Sequence, residues 1–362
     1  AHLLRREGDD AVSERNEVEP LIETVDLRTH FRTPRGVARA VDGIGLQIRR
    51  GQSLGVVGES GSGKTVLSRS MMGLLPRNGV IREGVVRYGG EEISSRTPKQ
   101  MQSIWGREMA MVFQDPMTSL NPVMKVGKQV TESIRLHLGM SKSEAMAVAE
   151  KIFRDVRIPE PTRRLSQYPH ELSGGMRQRV MIAIALACGP NMLFADEPTT
   201  ALDVTVQAQI LDLLSEQIRD RNMSMLLVTH NLGVVAGYTD EIAVMYGGKV
   251  VERAPTKELF ANVKMPYTEA LLQSIPRLDQ PSHSRLAMIP GRPPDLVNPP
   301  TGCRFAPRCA YARDLCVREE PPLVAAESPD HTFACHFPVG SPEYHERKVE
   351  ITRRAPETSG VN

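Results

Sequence analysis

The chain has 362 residues, of which 40% are hydrophobic and 24% charged, with a formal net charge of +2. That length admits one large domain plus a smaller one, and 45 basic against 43 acidic residues leave no strong basic field to argue for nucleic acid. The longest apolar runs, such as 223–228, are strand-length and fall short of the roughly 20 residues that a membrane span needs.

Residues 1–19 are charged, "RREGDDAVSERNEVEP", with no apolar signal-peptide core, and read as a disordered arm. A cytoplasmic setting is the expectation; thiols stay reduced there, so clustered cysteines favour metal binding over disulfides. "LIETVDLRTHF" and "ARAVDGIGLQI" read as strands. "SLGVVG" is a buried strand that runs into "GESGSGKT", and "VLSRSMMGLL" follows with helical spacing. Residues 80–95 carry short strand-and-turn patterns. From about 116 to 190, Met, Ala, Lys and Glu dominate and a helical subdomain is expected. Trp105 has no catalytic neighbour and reads as packing, and Cys188 reads as a small buried residue on an apolar helix. "NMLFADEP" and "SMLLVTH" are further buried strands, and "EIAVMYGGKVVE" reads as a hairpin. Beyond about 264 prolines crowd in, which suits loops and linkers. Buried strands alternating with helices predict an α/β fold with a largely parallel sheet.

Gly58, Glu59, Ser60, Gly61, Ser62, Gly63, Lys64 and Thr65 match the phosphate-loop pattern G-x-x-x-x-G-K-[ST] in full, with a strand before and a helix after. The glycines let successive backbone N–H groups turn inward on phosphate oxygens, and the helix start adds its positive dipole end. Lys64 is expected at the β- and γ-phosphates and the Thr65 hydroxyl on Mg²⁺. Asp196, at the end of "MLFAD", is expected to bind Mg²⁺, directly or through water, and Glu197 beside it is placed to polarise the attacking water.

Together with these motifs, "LSGGMRQR" (172–179), "ALD" and "VTH" resemble the ATP-binding subunits of ABC transporters in order and spacing. The resemblance implies an ABC-type P-loop NTPase over 20–262, with a RecA-like core, an antiparallel β portion and a helical insert. It implies a head-to-tail pair of ATPase subunits, with each ATP between one P-loop and the partner's Ser173, Gly174 and Gly175. Met176 stands where the family usually has Gln, a departure common in its peptide-importer branch. Gln114 in "VFQDP" matches the glutamine that senses the metal and the attacking water. Asp203 in "ALD" matches the residue that crosses the dimer interface, and His230 in "VTH" the histidine at the γ-phosphate. Phe31 lies near the position of the adenine-stacking aromatic, and a core role suits it equally.

"VFQDPMTSLNPVMKVGKQV", "PYTEALLQSIP" and "PPTGCRFAPRCAYARDLC" narrow the resemblance to the oligopeptide/dipeptide importer branch, which includes nickel and glutathione importers. It implies two transmembrane permease subunits, a second and usually different ATPase subunit, an extracytoplasmic substrate-binding protein, and a place at the cytoplasmic face of the membrane. Cys303, Cys309, Cys316 and Cys335 are spaced C-x5-C-x6-C-x18-C and lie in a C-terminal domain expected over 263–340. Four thiolates suit a [4Fe–4S] cluster or Zn²⁺; members of the branch that carry a cluster at these positions favour the former. Arg304 and Arg308 are placed to offset its negative charge. Residues 341–362 read as a flexible tail. The rival readings are nickel or glutathione import and an ATPase regulated by redox change at its iron–sulfur tail.

Overall fold

The computed structural model describes residues 19–76, 78–200, 202–275 and 288–354. The arm expected over 1–19 lies outside them except for residue 19. Twelve strands among the described residues form two sheets: β1 (Ile22–Thr33), β2 (Gly36–Ile48), β3 (Ser53–Val57), β4 (Val80–Tyr88), β5 (Glu91–Glu92), β6 (Met109–Val112), β7 (Met192–Asp196), β8 (Ser224–Thr229), β9 (Glu241–Tyr246), β10 (Lys249–Pro255), β11 (Val324–Ala325) and β12 (Thr332–Phe333).

The larger sheet runs β11-β12-β10-β9-β3-β8-β7-β6. Its centre, from β9 to β6, is parallel. Both faces of these strands are covered, so their residues are apolar without alternation. On β8, Met225 and Leu227 face one core while Leu226 and Val228 face the other. The first core lies toward the helices and the second between this sheet and the antiparallel sheet β2-β1-β4-β5. β9 and β10 form the expected hairpin, and Gly247 and Gly248 supply the two positive φ angles that its tight turn requires.

The helical stretch contains the helices Val126–Leu138, Lys142–Asp155 and Gly174–Leu186. Ser141 and Glu144 close a capping box at the second of these. Trp105 packs as expected, its indole N–H donating to the Met72 carbonyl at 2.8 Å. Cys188 differs from expectation: it lies just beyond the end of Gly174–Leu186, is half-buried, and burial raises its thiol pKa.

The C-terminal region does not stand apart from the core. β12 pairs with β10 and carries β11 with it, which extends the central sheet. His331 and Glu252, both without exposed side-chain surface, are hydrogen-bonded at 2.9 Å, and Glu252 also accepts from the backbone of Lys264 and Met265. Residues 342–354, read from sequence as flexible, form a helix that buries Tyr344 against Tyr311. The regular polar–charged composition hides that single anchoring ring. No helix among the described residues is long and apolar enough to cross a membrane.

Leu227→Ala, in the middle of a fully buried strand, is expected to cost about 2–5 kcal/mol. The check is urea unfolding, read as a lower midpoint at an unchanged slope.

Candidate functional site

All five residues of β3 are buried, so the chain leaves the sheet at Gly58 in a fixed direction. The loop that follows passes other backbone too closely for a side chain. A Cβ at Gly58 would stand 2.2 Å from the Met245 carbonyl, and one at Gly63 (φ 104°) would stand 2.0 Å from that of Ala40. Only glycine fits either position. Gly63 opens the helix Lys64–Met71. Lys64 is buried and donates to the carbonyls of Gly58 at 2.8 Å and Glu59 at 3.0 Å. Burial pulls its ammonium below the ordinary lysine value, opposed by the carboxylates of Glu197, Asp196 and Glu59.

Asp196 ends β7 with no exposed surface. Its Oδ1 accepts from the Thr65 hydroxyl at 2.8 Å, while its Oδ2 is buried without a hydrogen-bond partner. An unsatisfied carboxylate oxygen beside a threonine hydroxyl and a phosphate loop is the hard-oxygen environment that Mg²⁺ prefers, so these residues fit that ion. Burial holds the Asp196 carboxyl above its ordinary pKa.

Glu197 follows with φ of 45°, the left-handed region, which costs a non-glycine residue about 1–2 kcal/mol. Its N–H still donates to the Val228 carbonyl at 2.9 Å, so the strain turns the residue without releasing it from the sheet. One carboxylate oxygen, Oε2, collects three groups: Gln114 Nε2 at 3.1 Å, Thr200 Oγ1 at 2.9 Å and His230 Nδ1 at 3.4 Å. These three partners come from loops far apart in sequence. Phe31, Ser60, Gly61, Gly63, Lys64, Thr65, Gln114, Glu197 and His230 line one open cleft of about 620 Å³. Phe31 is half-buried at the end of β1, on the cleft wall.

Ser173, Gly174 and Gly175 are not among the residues lining that cleft. Ser173 caps the helix Gly174–Leu186, and a Cβ at Gly174 or Gly175 would meet Leu202 at 3.7 Å or Val206 at 3.1 Å. Asp203, exposed, caps the helix Val204–Asp220 through the Val206 N–H at 3.0 Å. Leu202 and Val206, on either side of Asp203, therefore lie beside the "SGG" glycines.

Cys303, Cys309, Cys316 and Cys335 are free thiols. Every pair among them is near enough for the charge of one to raise another's pKa. Burial raises the Cys303 thiol and pushes those of Cys309 and Cys335 up to about 12. Against this, backbone N–H groups point at the sulfurs: Phe305 and Ala306 at Cys303, Tyr311 and Ala312 at Cys309, and Phe337 at Cys335. The donor set therefore suits a thiolate-bound metal. Yet among the described residues no group of three or more His, Cys, Asp or Glu side chains closes to the arrangement of a metal site.

Two arginines do not do what the sequence suggests. Arg304 and Arg308 direct their guanidinium groups to Asp42 and Glu59, in the cassette, rather than to the sulfurs. Burial alone would raise the Asp42 carboxyl, but its contacts with Arg304 leave it below the ordinary value. Sequence reasoning also missed Leu296. It lies in the proline-rich stretch, accepts from the Arg39 N–H at 2.9 Å and lines the cleft. No motif marks it.

An ABC transporter family model matches residues 41–200, and a model of the oligopeptide/dipeptide transporter C-terminal region matches 251–316. The oligopeptide transport ATP-binding protein OppD of Salmonella typhimurium is 48% identical over 88% of this chain and 94% of its own length. The chain belongs to the ABC transporter ATP-binding family. Its C-terminal region places it in the oligopeptide/dipeptide branch. OppD of Bacillus subtilis is 47% identical over 84% of this chain and 85% of its own, and the dipeptide transport ATP-binding protein DppD of Lactococcus lactis 46% over 86% and 89%. Among solved structures, the ATP-binding cassette MJ0796, a dimer in a post-hydrolysis state bound to ADP and phosphate, superposes with a TM-score of 0.59 at 25% identity. That likeness covers 65% of this chain and 98% of the cassette. The subunit is an ATPase with the ABC cassette fold.

The raised pKa of Asp196 has a stability consequence. Between the ordinary carboxylate pKa and the raised one, the folded chain binds more protons than the unfolded chain, so stability falls as pH rises through that window. Asp196→Asn removes the penalty. In the absence of nucleotide the variant should melt above wild type at pH 7, by about 1–2 °C for each kcal/mol regained. The gap should close as pH falls into the ordinary carboxylate range, and Mg²⁺-dependent ATP turnover should be lost. Thermal melts across pH, with a parallel ATPase assay, check both.

Proposed function

We propose that this ATPase powers peptide import through a membrane permease, with 58–65 as its phosphate site and Glu197 as its catalytic carboxylate. The observation that carries the site is the convergence of Gln114, Thr200 and His230 on one oxygen of Glu197, beside the Thr65–Asp196 pair. The peptide substrate class rests on the OppD and DppD relatives, which this chain matches over most of their length. They do not favour the nickel and glutathione readings.

Backbone N–H groups of 60, 61 and 63–65 and the Lys64 ammonium receive the phosphates of ATP. Binding frees Lys64 from its two loop carbonyls and turns it to the phosphate oxygens. Thr65 and Asp196 would hold Mg²⁺, which when bound neutralises charge on the β- and γ-phosphates. Glu197 polarises the attacking water, and Gln114 and His230 fix the direction of its carboxylate. Phe31 faces the adenine. The exposed Ser173 hydroxyl and the N–H groups of 174–175 complete the site of a partner subunit, and Asp203 borders the same interface. The dimer of the cassette MJ0796 supports that reading. The subunit works at the cytoplasmic face of the membrane with two permease subunits, a second, different ATPase chain and an extracytoplasmic binding protein.

We propose that Cys303, Cys309, Cys316 and Cys335 would hold a [4Fe–4S] cluster; four soft donors in one neighbourhood, with N–H groups aimed at three of them, support this, although among the described residues they do not close to a metal site.

Glu197→Gln should keep ATP affinity and lose steady-state turnover by about 10²-fold or more. Near-normal turnover in an ATPase assay would rule out its role. Protein purified without oxygen should be brown and contain about four iron and four sulfide per chain. A colourless, iron-free sample would sink the cluster, and stoichiometric zinc would replace it with the Zn²⁺ alternative.

A further inference from the structure

One side chain of the phosphate loop has no part in the chemistry above. Glu59 meets Arg308 in a two-pronged pair, Nη1 to Oε2 at 2.5 Å and Nη2 to Oε1 at 2.9 Å. This is the fork geometry in which guanidinium and carboxylate bind most strongly. The Arg308 side chain is 4% exposed and Glu59 26%. The other donors of Arg308 are also used: Nε to the Pro290 carbonyl at 2.8 Å, Nη1 to the Tyr246 hydroxyl at 3.2 Å and Nη2 to the Ile289 carbonyl at 3.2 Å. Five acceptors thus match the five N–H groups of the guanidinium, which leaves it one orientation.

The main chain of Glu59 is held as well. Its N–H donates to the Tyr267 hydroxyl at 2.9 Å. The Tyr267 ring packs on Tyr246 at 4.5 Å and on Phe305 at 5.3 Å between centroids. The Glu59 carbonyl, in turn, receives Lys64 Nζ at 3.0 Å. The residue beside the phosphate-binding lysine is therefore anchored at two points by groups outside the loop. Charge matters too. A carboxylate in a loop that must accept a polyphosphate repels it unless a cation compensates.

We propose that Arg308 is a positioning residue for the phosphate loop. It holds and neutralises Glu59, so the 303–309 segment sets the affinity for a nucleoside triphosphate from outside the cassette. The proposal rests on 58–65 being the ATP phosphate site.

The test is a titration of full-length protein with a fluorescent ATP analogue and Mg²⁺, on wild type, Arg308→Met, Glu59→Gln and the double variant. Arg308→Met should raise Kd about tenfold or more, because it leaves a charged carboxylate facing the phosphates. The double variant should recover most of that loss, since the uncompensated charge is gone, and Glu59→Gln supplies the reference corner of the cycle. Unchanged affinity in Arg308→Met overturns the proposal. So does a folded double variant as weak as the single one, which is what a merely structural role predicts. Melting temperatures establish folding, and Arg308→Gln carries the same comparison if Arg308→Met does not fold. A wild type that binds no analogue would sink the nucleotide reading itself, whereas a wild type that binds as tightly as Arg308→Met sinks only the anchor.

Discussion

A carboxylate with no exposed surface is the constraint around which this molecule is arranged. Asp196 gains one hydrogen bond, from Thr65, and keeps its other oxygen unsatisfied. Such a group opposes folding unless something charged is to meet it. The arrangement persists because its surroundings are over-determined: β7 is covered on both faces, its neighbour Glu197 is turned by a positive φ yet still bonded to β8, and the phosphate loop is pressed against Met245 and Ala40. Stability supplied by the two cores is thereby converted into a fixed array of oxygens and N–H groups. The cleft is preorganised by burial far from it.

Much of this was legible in the sequence because it is written locally. The phosphate loop needs glycines at fixed offsets, and β3, β7 and β8 are short, apolar and bounded by polar residues, so each could be read without its neighbours. Glu197 was marked by its place beside Asp196 at the end of an apolar strand, whereas Gln114 and His230 carried no such local mark. Their roles came from family order, and the geometry adds what order does not contain, a single oxygen of Glu197 shared by both.

What the sequence concealed is pairing across distance. Arg304 and Arg308 sit between cysteines, and local reasoning assigned their charge to the sulfurs. Their partners, Asp42 and Glu59, lie in the first sixth of the chain. Leu296 looked like linker because prolines surround it, yet its backbone carbonyl is fastened to Arg39. The helix at 342–354 was hidden by its polar face, and one buried tyrosine decides its docking. Each of these errors has the same origin: an isolated charge or ring has no periodicity, so its partner cannot be inferred from spacing.

The Glu59–Arg308 pair spans 249 positions. During synthesis the phosphate loop emerges well before its counter-charge. At about 5–20 residues per second, the two are separated by roughly 10–50 s. For that interval the loop's acid is without its cation, and β10 waits for β12. The anchor of the 58–65 loop is thus made late, after the strands of the cassette, and a chain cut short before residue 300 carries that loop, Asp196 and Glu197 while lacking the arginine that pairs with Glu59.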